Sequence, residues 1–370
     1  MTKKIFFLVI TAFWSFNTIA QISSAEVKMM VVYSAESNIL PKDLLSSKTL
    51  VVISMLNDQE SQLRGDWKII ATEAHRYINR LGIDAVQYIY IDDLNSGFDV
   101  KRSITNQMLR REIKNVFLLS QDTRQGQVRY TGAISAFNSR PTFISANQPA
   151  WKSETGDIEI LFRNLARAID NADLILENFL ILDSPEYFRG SGIISGKRFE
   201  TFNTDLRIDR LAVPVFENIP APDNGQAAFM QMIETENKTN LEKNSQLELI
   251  LSKYPYQFQI VPYDYEEKKL LAKGFQFVLM SVNTSGAEAR QLLGYPFDNK
   301  VNELITMKKN ALGELEIESH PVQQTVFKYY IKHINSGDIY LGEQWDADDT
   351  WAEALTNHLN ALIEKLGSKK

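Results

Sequence analysis

The chain has no cysteine. That removes disulfides, removes the lipid-modified N-terminal residue of a lipoprotein, and deprives any zinc site of its commonest structural ligand. Histidine is almost as scarce: His75, His320, His333 and His358 are scattered over the chain with no pair at metal-ligand spacing. No zinc site is therefore expected, and no bound cofactor unless carboxylates hold Mg²⁺. Beyond the N-terminal segment no apolar run approaches the ~20 residues of a membrane-spanning helix. Basic residues are outnumbered, 40 Lys and Arg against 46 Asp and Glu, for a net charge of −6. This argues against a nucleic-acid partner, because phosphate neutralisation needs clustered Lys and Arg. There is no Gly-x-Ser-x-Gly elbow, so a serine hydrolase of that kind is unsupported. The stretch GSGIISGKR at 190–198 fails as a phosphate loop. Ser191 stands where the first Gly belongs, Arg198 stands where a Mg²⁺-binding hydroxyl belongs, and no helix is signalled at Lys197.

What is present begins with an address. Lys3 and Lys4 precede an apolar run at 5–13 and a small-residue exit at Thr18-Ile19-Ala20. This is the pattern of a bacterial secretory signal peptide, residues 1–20, with Ala25 as a second cleavage position. Its removal takes the net charge from −6 to −8 (−6 minus the two lysines). The expected location is the periplasm, or an extracellular or outer-membrane-associated site, and folding there relies on packing alone. With 370 residues, 44% of them hydrophobic, the chain can bury more than one core.

The C-terminal stretch 325–365 reads as a hairpin (TVFKYYIKH, a turn at Asn335-Ser336-Gly337-Asp338, then Ile339, Tyr340 and Leu341), a tryptophan, an acidic loop and a helix. An earlier stretch has the same grammar: a strand at 128–137, Asn138-Ser139-Arg140-Pro141, a return strand at 142–144, Trp151, then a helix over 157–180 that seals the sheet. Trp151 with Trp345, Leu161 with Leu355, Leu165 with Leu359 and Ile169 with Ile363 share one offset, which reads as an internal duplication. Ahead of each ending, strands and helices alternate. The run TLVVISML at 49–56 suits a strand covered on both faces, a helix follows over 66–81 with Gly82 as its stop, and AVQYIYI and NVFLLS supply further strands.

The fold class is therefore α/β: two tandem α/β domains, each β-α-β-α-β followed by a β-hairpin and a sealing C-terminal helix. The boundaries are an extension at 21–48, a first domain at 49–180, a linker at 181–210 and a second domain at 211–370. In the second domain Pro214 reads as an edge or a bulge, and a long helix near 226–253, polar in its middle, reads as partly projecting.

Ligands in parallel sheets sit beyond the carboxyl ends of the strands. Asn57 and Asp58, then Asp92 and Asp93, then Asp122 fall there, with Ser54 and Ser120 beside them. Asp92, Asp93 and Asp122 are the candidate catalytic set, holding Mg²⁺ for a phosphohydrolase or nucleotide-binding enzyme. Ser54, Ser120, Arg110 and Arg111 are the candidate ligand-binding set. The plainer reading of all of them is capping, turn formation and a solvated rim. Lys101, Arg102, Arg110, Arg111 and Lys114 likewise read as the wet side of a helix. Asp346, Asp348 and Asp349 precede a capping box formed by Thr350 and Glu353, and His358, standing where the first copy has Asn164, reads as a surface position.

The repeated order, and above all the C-terminal ending with its aromatic hairpin, Gly-x-x-Trp at 342–345 and helix, resembles the α/β domain shared by the amino-terminal region of TolB, the periplasmic part of the curli secretion channel subunit and the lipoprotein activators of penicillin-binding proteins. The whole chain, with Arg64-Gly65-Asp66-Trp67-Lys68 and Phe202-Asn203-Thr204-Asp205-Leu206, also resembles an uncharacterised family of exported Bacteroidota proteins, some of them labelled NTPase. The first resemblance implies a non-catalytic envelope protein that binds other envelope proteins.

Overall fold

The computed structural model describes residues 35–36, 38–55, 63–145, 147–221, 227–296, 300–309 and 314–367. The expected signal peptide, together with Asn57 and Asp58, lies outside the described residues. The fold is α/β. Its first half comprises β1 (Ala35–Glu36), β2 (Lys48–Met55), α1 (Trp67–Arg80), β3 (Asp84–Tyr90), α2 (Ile91–Leu94), α3 (Phe98–Arg110), β4 (Ile113–Arg124), β5 (Gln127–Ala136), β6 (Pro149–Thr155) and α4 (Ile158–Asp170). In β2, Leu50, Val51, Val52 and Ile53 are all fully buried, as an uninterrupted apolar run flanked by two strands requires. Helix α1 buries Trp67, Ile70, Ala71, Ala74 and Ile78 at helical spacing, and Asp66 caps it by accepting from the Lys68 amide. Asp157 caps α4 in the same way, and α4 packs Leu161, Phe162 and Leu165 inward. Tyr77 of α1 stacks on Phe162 at 4.9 Å, locking the two helices together.

The second half comprises β7 (Arg198–Phe199), β8 (Leu211–Pro214), α5 (Ala227–Leu251), β9 (Phe258–Val261), α6 (Glu267–Ala272), β10 (Phe277–Ser285), α7 (Gly286–Leu292), β11 (Glu303–Lys309), β12 (Leu315–Pro321), β13 (Thr325–His333), β14 (Ile339–Tyr340) and α8 (Trp351–Leu366). The two main sheets run β1-β6-β5-β4-β2-β3 and β7-β14-β13-β10-β8-β9. Read in those orders, both have the same neighbour directions: parallel, antiparallel, antiparallel, parallel, parallel. Strands β11 and β12 form a separate two-stranded ribbon between α7 and β13. Helices α2 and α3 pack against both β10 and the first sheet. One apolar cluster accordingly contains Leu50 and Ile104 together with Val282, Leu292 and Val326.

Several expectations are corrected. A tight hairpin at Gln125-Gly126, both at positive φ (52° and 75°), joins β4 to β5, so β4 is longer than expected; the strand that returns along β5 is β6 and not 142–144. Two consecutive positive φ values are what a tight hairpin needs, and Gln-Gly supplies them. Trp151 consequently sits inside β6 opposite Ile134. Trp345 instead lies in the loop after β14, edge-on to Tyr295 at 5.3 Å. The two tryptophans are not equivalent, whereas Leu161 and Leu165 in α4 and Leu355 and Leu359 in α8 are all buried. The sealing helix stops at Asp170, Asp173 just beyond it takes a φ of 47°, and 174–182 runs on as a strap without regular secondary structure. Residues 181–210 are not a free linker. Tyr88 exchanges backbone hydrogen bonds with Glu186 and Phe188 (2.8 and 2.7 Å), and β7 edges the second sheet.

Pro214 is the last residue of an interior strand rather than part of an edge. Strand β10 has stopped pairing with β8 by Ala212, so no amide is missed there. The polar middle of α5 does not project. Asn237, Asn240 and Asn244 lie on one face of the helix and clasp the backbone at Ile219, Glu217 and Phe216 with bonds of 2.7–3.4 Å. They satisfy amides and carbonyls that no strand would pair.

Candidate functional site

The described strand ends of the first half hold their carboxylates in separate contacts. Among the described residues, Asp92, Asp93 and Asp122 belong to no group of three metal-ligand atoms within 4.8 Å of one another. Asp93 is buried and its carboxylate is held by Arg64 through two bonds of 2.7 Å, with the Thr284 hydroxyl donating at 2.8 Å from the other half. Asp122 lies on β4 beyond the sheet core and accepts from Arg124 at 3.1 Å. Ser54 and Ser120 sit side by side on paired strands β2 and β4, both buried. Arg110 is exposed. Arg111 donates to both carboxylate oxygens of Glu186 and to the Val86 carbonyl at 2.8–3.0 Å, and so holds the 181–210 segment down. Lys197 leads into strand β7 and its amide donates to Asp338, the opposite of a phosphate-binding helix start.

The region around Asp93 is instead the seam between the halves. Burial works against the Arg64 charge, but Asp93 outweighs it and raises the guanidinium above its ordinary value. Glu288 on α7 reaches the same spot, and its carboxyl is pushed up to about 8, first by burial and then by the Asp93 charge, against the opposing pull of Arg64. Further along, Lys332 of β13 pairs with Asp99 and Glu267 at 2.9 Å, and the Asn283 amide donates to the Ser96 carbonyl. A bidentate, desolvated Arg–carboxylate pair that also accepts a hydroxyl is satisfied on all sides. It fastens; it leaves no open position for a reacting group.

The second half contains a buried triad that sequence reasoning did not find. Lys328 of β13, fully buried, contacts Asp346 at 2.5 Å and donates to the Leu341 carbonyl at 2.9 Å. Asp346 accepts from His358 Nδ1 at 2.9 Å. His358 is thus a core residue of α8 and not a surface position. Burial lowers its pKa, against the opposing pull of Asp346. Asp346 is held below the usual carboxylate range because Lys328 and His358 overcome its burial. The Phe202 ring covers the imidazole edge-on at 5.3 Å. Residue types that carry out catalysis elsewhere are here sealed from any substrate.

The ribbon β11–β12 has two unlike faces. Inward, Leu304, Thr306 and His320 are buried, and the Thr306 hydroxyl donates to the Ala347 carbonyl. Outward, Ile305, Met307, Leu315 and Ile317 form one face by register, with exposures of 59, 38, 63 and 69%. The capping box at α8 is present, with Thr350 accepting from the Glu353 amide at 3.2 Å. Asp348, one of the carboxylates ahead of that capping box, is buried beneath the ribbon. Asp349 and Glu353 beside it have raised pKa values, from burial and from the nearby Asp348 carboxylate. Two open grooves elsewhere, of about 220 Å³ at Tyr77, Arg80 and Phe162 and about 330 Å³ at Pro41, Phe137 and Pro149, carry none of the candidate residues.

No helix among the described residues is long and apolar enough to cross a membrane. No protein-family model matches the chain, and a search of curated proteins finds no match to it.

Proposed function

We propose that this chain is an exported, non-enzymatic protein of the bacterial cell envelope that acts by docking other envelope proteins. The observation that carries the reading is the outer face of the β11–β12 ribbon, where four large apolar side chains stand in water. A two-stranded ribbon with apolar side chains on both faces spends stability that a polar outer face would not, and grouped exposed apolar residues of this kind mark contact surfaces. The strap at 174–182 has the same character, with Ile175, Leu176, Phe179, Leu180 and Leu182 all exposed. The expected kinship of each half with the TolB-type α/β domain, the tandem duplication, the signal peptide and the Bacteroidota origin belong to the same proposal.

The competing reading, a Mg²⁺-dependent phosphohydrolase built on Asp92, Asp93 and Asp122, gains no support from the geometry, because Asp93 is committed to Arg64 and Thr284. A photo-crosslinking residue in place of Met307, with one in place of exposed Lys268 as control, tests docking in the native envelope. Discrete adducts from position 307 alone are expected, and adducts of equal yield from both positions would refute the assignment. Replacing the three aspartates with Asn is expected to abolish no nucleotide hydrolysis; a Mg²⁺-dependent activity lost on that substitution would favour the enzyme.

A further inference from the structure

The inner face of the ribbon carries a second feature. Glu318 and His320 stand two residues apart on β12 and so point to one side of it. The loop before α8 brings Asp348 up against them, fixed by reciprocal backbone bonds with Phe327 of 2.7 and 3.1 Å. One ligand atom from each of the three lies within 4.8 Å of the other two. His320 is almost wholly buried, yet its Nε2 has no hydrogen-bond partner and lies 3.9 Å from a Glu318 oxygen. A buried imidazole nitrogen without a partner forfeits its solvation and receives nothing in return.

Charge points the same way. Glu318, Asp348, Asp349 and Glu353 bring four carboxylates to this corner. Against them stands the ammonium of Lys308, in contact with Glu318, 3.4 Å from Asp348 and 4.0 Å from Glu353. The Lys308 side chain is partly open to solvent, so its stem can swing outward. The rest of the Asp348 carboxylate is oriented by the Asp349 amide at 2.9 Å and the Asn357 side chain at 3.2 Å, the supporting contacts that ligating carboxylates have in metal sites.

We propose that Glu318, His320 and Asp348 form a binding site for a divalent transition-metal ion of the Zn²⁺ class, in which Lys308 is the internal cation that the metal displaces. One imidazole and two carboxylates, with a water on the side Lys308 vacates, make a four-coordinate set suited to Zn²⁺, whose bonds to such ligands are about 2.0–2.2 Å. An imidazole ligand selects against Mg²⁺ and Ca²⁺, which take oxygen. Closing the set would pin the ribbon to the loop before α8. The site stands on these contacts and does not depend on the ribbon's outer face docking anything.

The test is calorimetric titration of ZnCl₂ into the chelator-treated full chain, with Co²⁺ absorption as a second readout. One equivalent of Zn²⁺ bound, a tetrahedral Co²⁺ spectrum and no response to Mg²⁺ are expected. His320→Ala is expected to weaken Zn²⁺ binding by more than about 100-fold, beyond the loss from an outer supporting partner. Lys308→Met is expected to tighten it, because the competing cation is gone. Failure of the wild-type chain to bind one equivalent would overturn the proposal. So would undiminished affinity in His320→Ala, or weaker binding in a folded Lys308→Met.

Discussion

Replacing Glu288 with Gln is expected to stabilise the protein above neutral pH and to leave it little changed near pH 4.5. Glu288 lies at the seam beside Asp93, packed against Gly190, where an added Cβ would come within 2.3 Å of its carboxylate oxygen. Its carboxyl titrates at about 8 in the fold against an ordinary value of 4.5. The folded state therefore holds a proton that the unfolded chain has released across that window. Such a group contributes stability that is complete below pH 4.5 and lost as the pH rises through 8. At about 1.36 kcal/mol per pH unit, the interval of ~3.5 units sets a ceiling of about 5 kcal/mol. Gln keeps the shape and cannot ionise, so the variant should lack this loss. Urea denaturation of both proteins at pH 5, 6, 7, 8 and 9 isolates the effect, because titrating groups remote from Glu288 cancel in the difference. The expected result is a difference that grows with pH in favour of Gln and levels off above pH 8. A difference that stays constant from pH 5 to 9 would refute the reasoning.

Other consequences are equally direct. Lys328→Met strands the buried Asp346 and is expected to cost about 3–5 kcal/mol in denaturant unfolding, with much of that recovered in Lys328→Met/Asp346→Asn. Asn240→Ala leaves the Glu217 carbonyl without its donor and is expected to cost about 1–3 kcal/mol by the same assay. Gly97→Ala places a methyl group 2.5 Å from the Ser281 carbonyl oxygen across the seam. It is expected to cost about 1–3 kcal/mol and to raise limited proteolysis between the halves.

What could be read in the residues was whatever depends on neighbours in sequence. The run through Leu50 and Ile53 announced a central strand, the spacing of Ile70, Ala74 and Ile78 announced α1, and Asn335 to Asp338 announced the turn after β13. The Gln-Gly turn at 125–126 was legible but carries a weaker signal than Asn-Gly, and passing over it shortened β4; the match of Trp151 with Trp345 rested on a shared spacing, which does not tell a strand position from a loop position. The asparagines of α5 were read as solvated because a side-chain amide serving distant backbone looks, in sequence, like one facing water. Asp93 fell where a strand-end ligand should fall. Its partner Thr284 is 191 residues away, so nothing local told a fastening from a catalytic group. The same distance effect hid Lys328 with Asp346 and His358. It hid His320 as well, whose surroundings exist only once β12 has its register and the loop at Asp348 is folded beneath it.

The central claim, that the outer ribbon face is a contact surface, is tested most directly by comparing the wild-type chain with Ile305→Asp/Ile317→Asp. Each is expressed in the native envelope, crosslinked and affinity-purified, and thermal melts confirm that both are folded. The account predicts that specific adducts of the wild-type chain disappear in the variant while its melting temperature is unchanged. Adducts of equal identity and yield from a folded variant would contradict it.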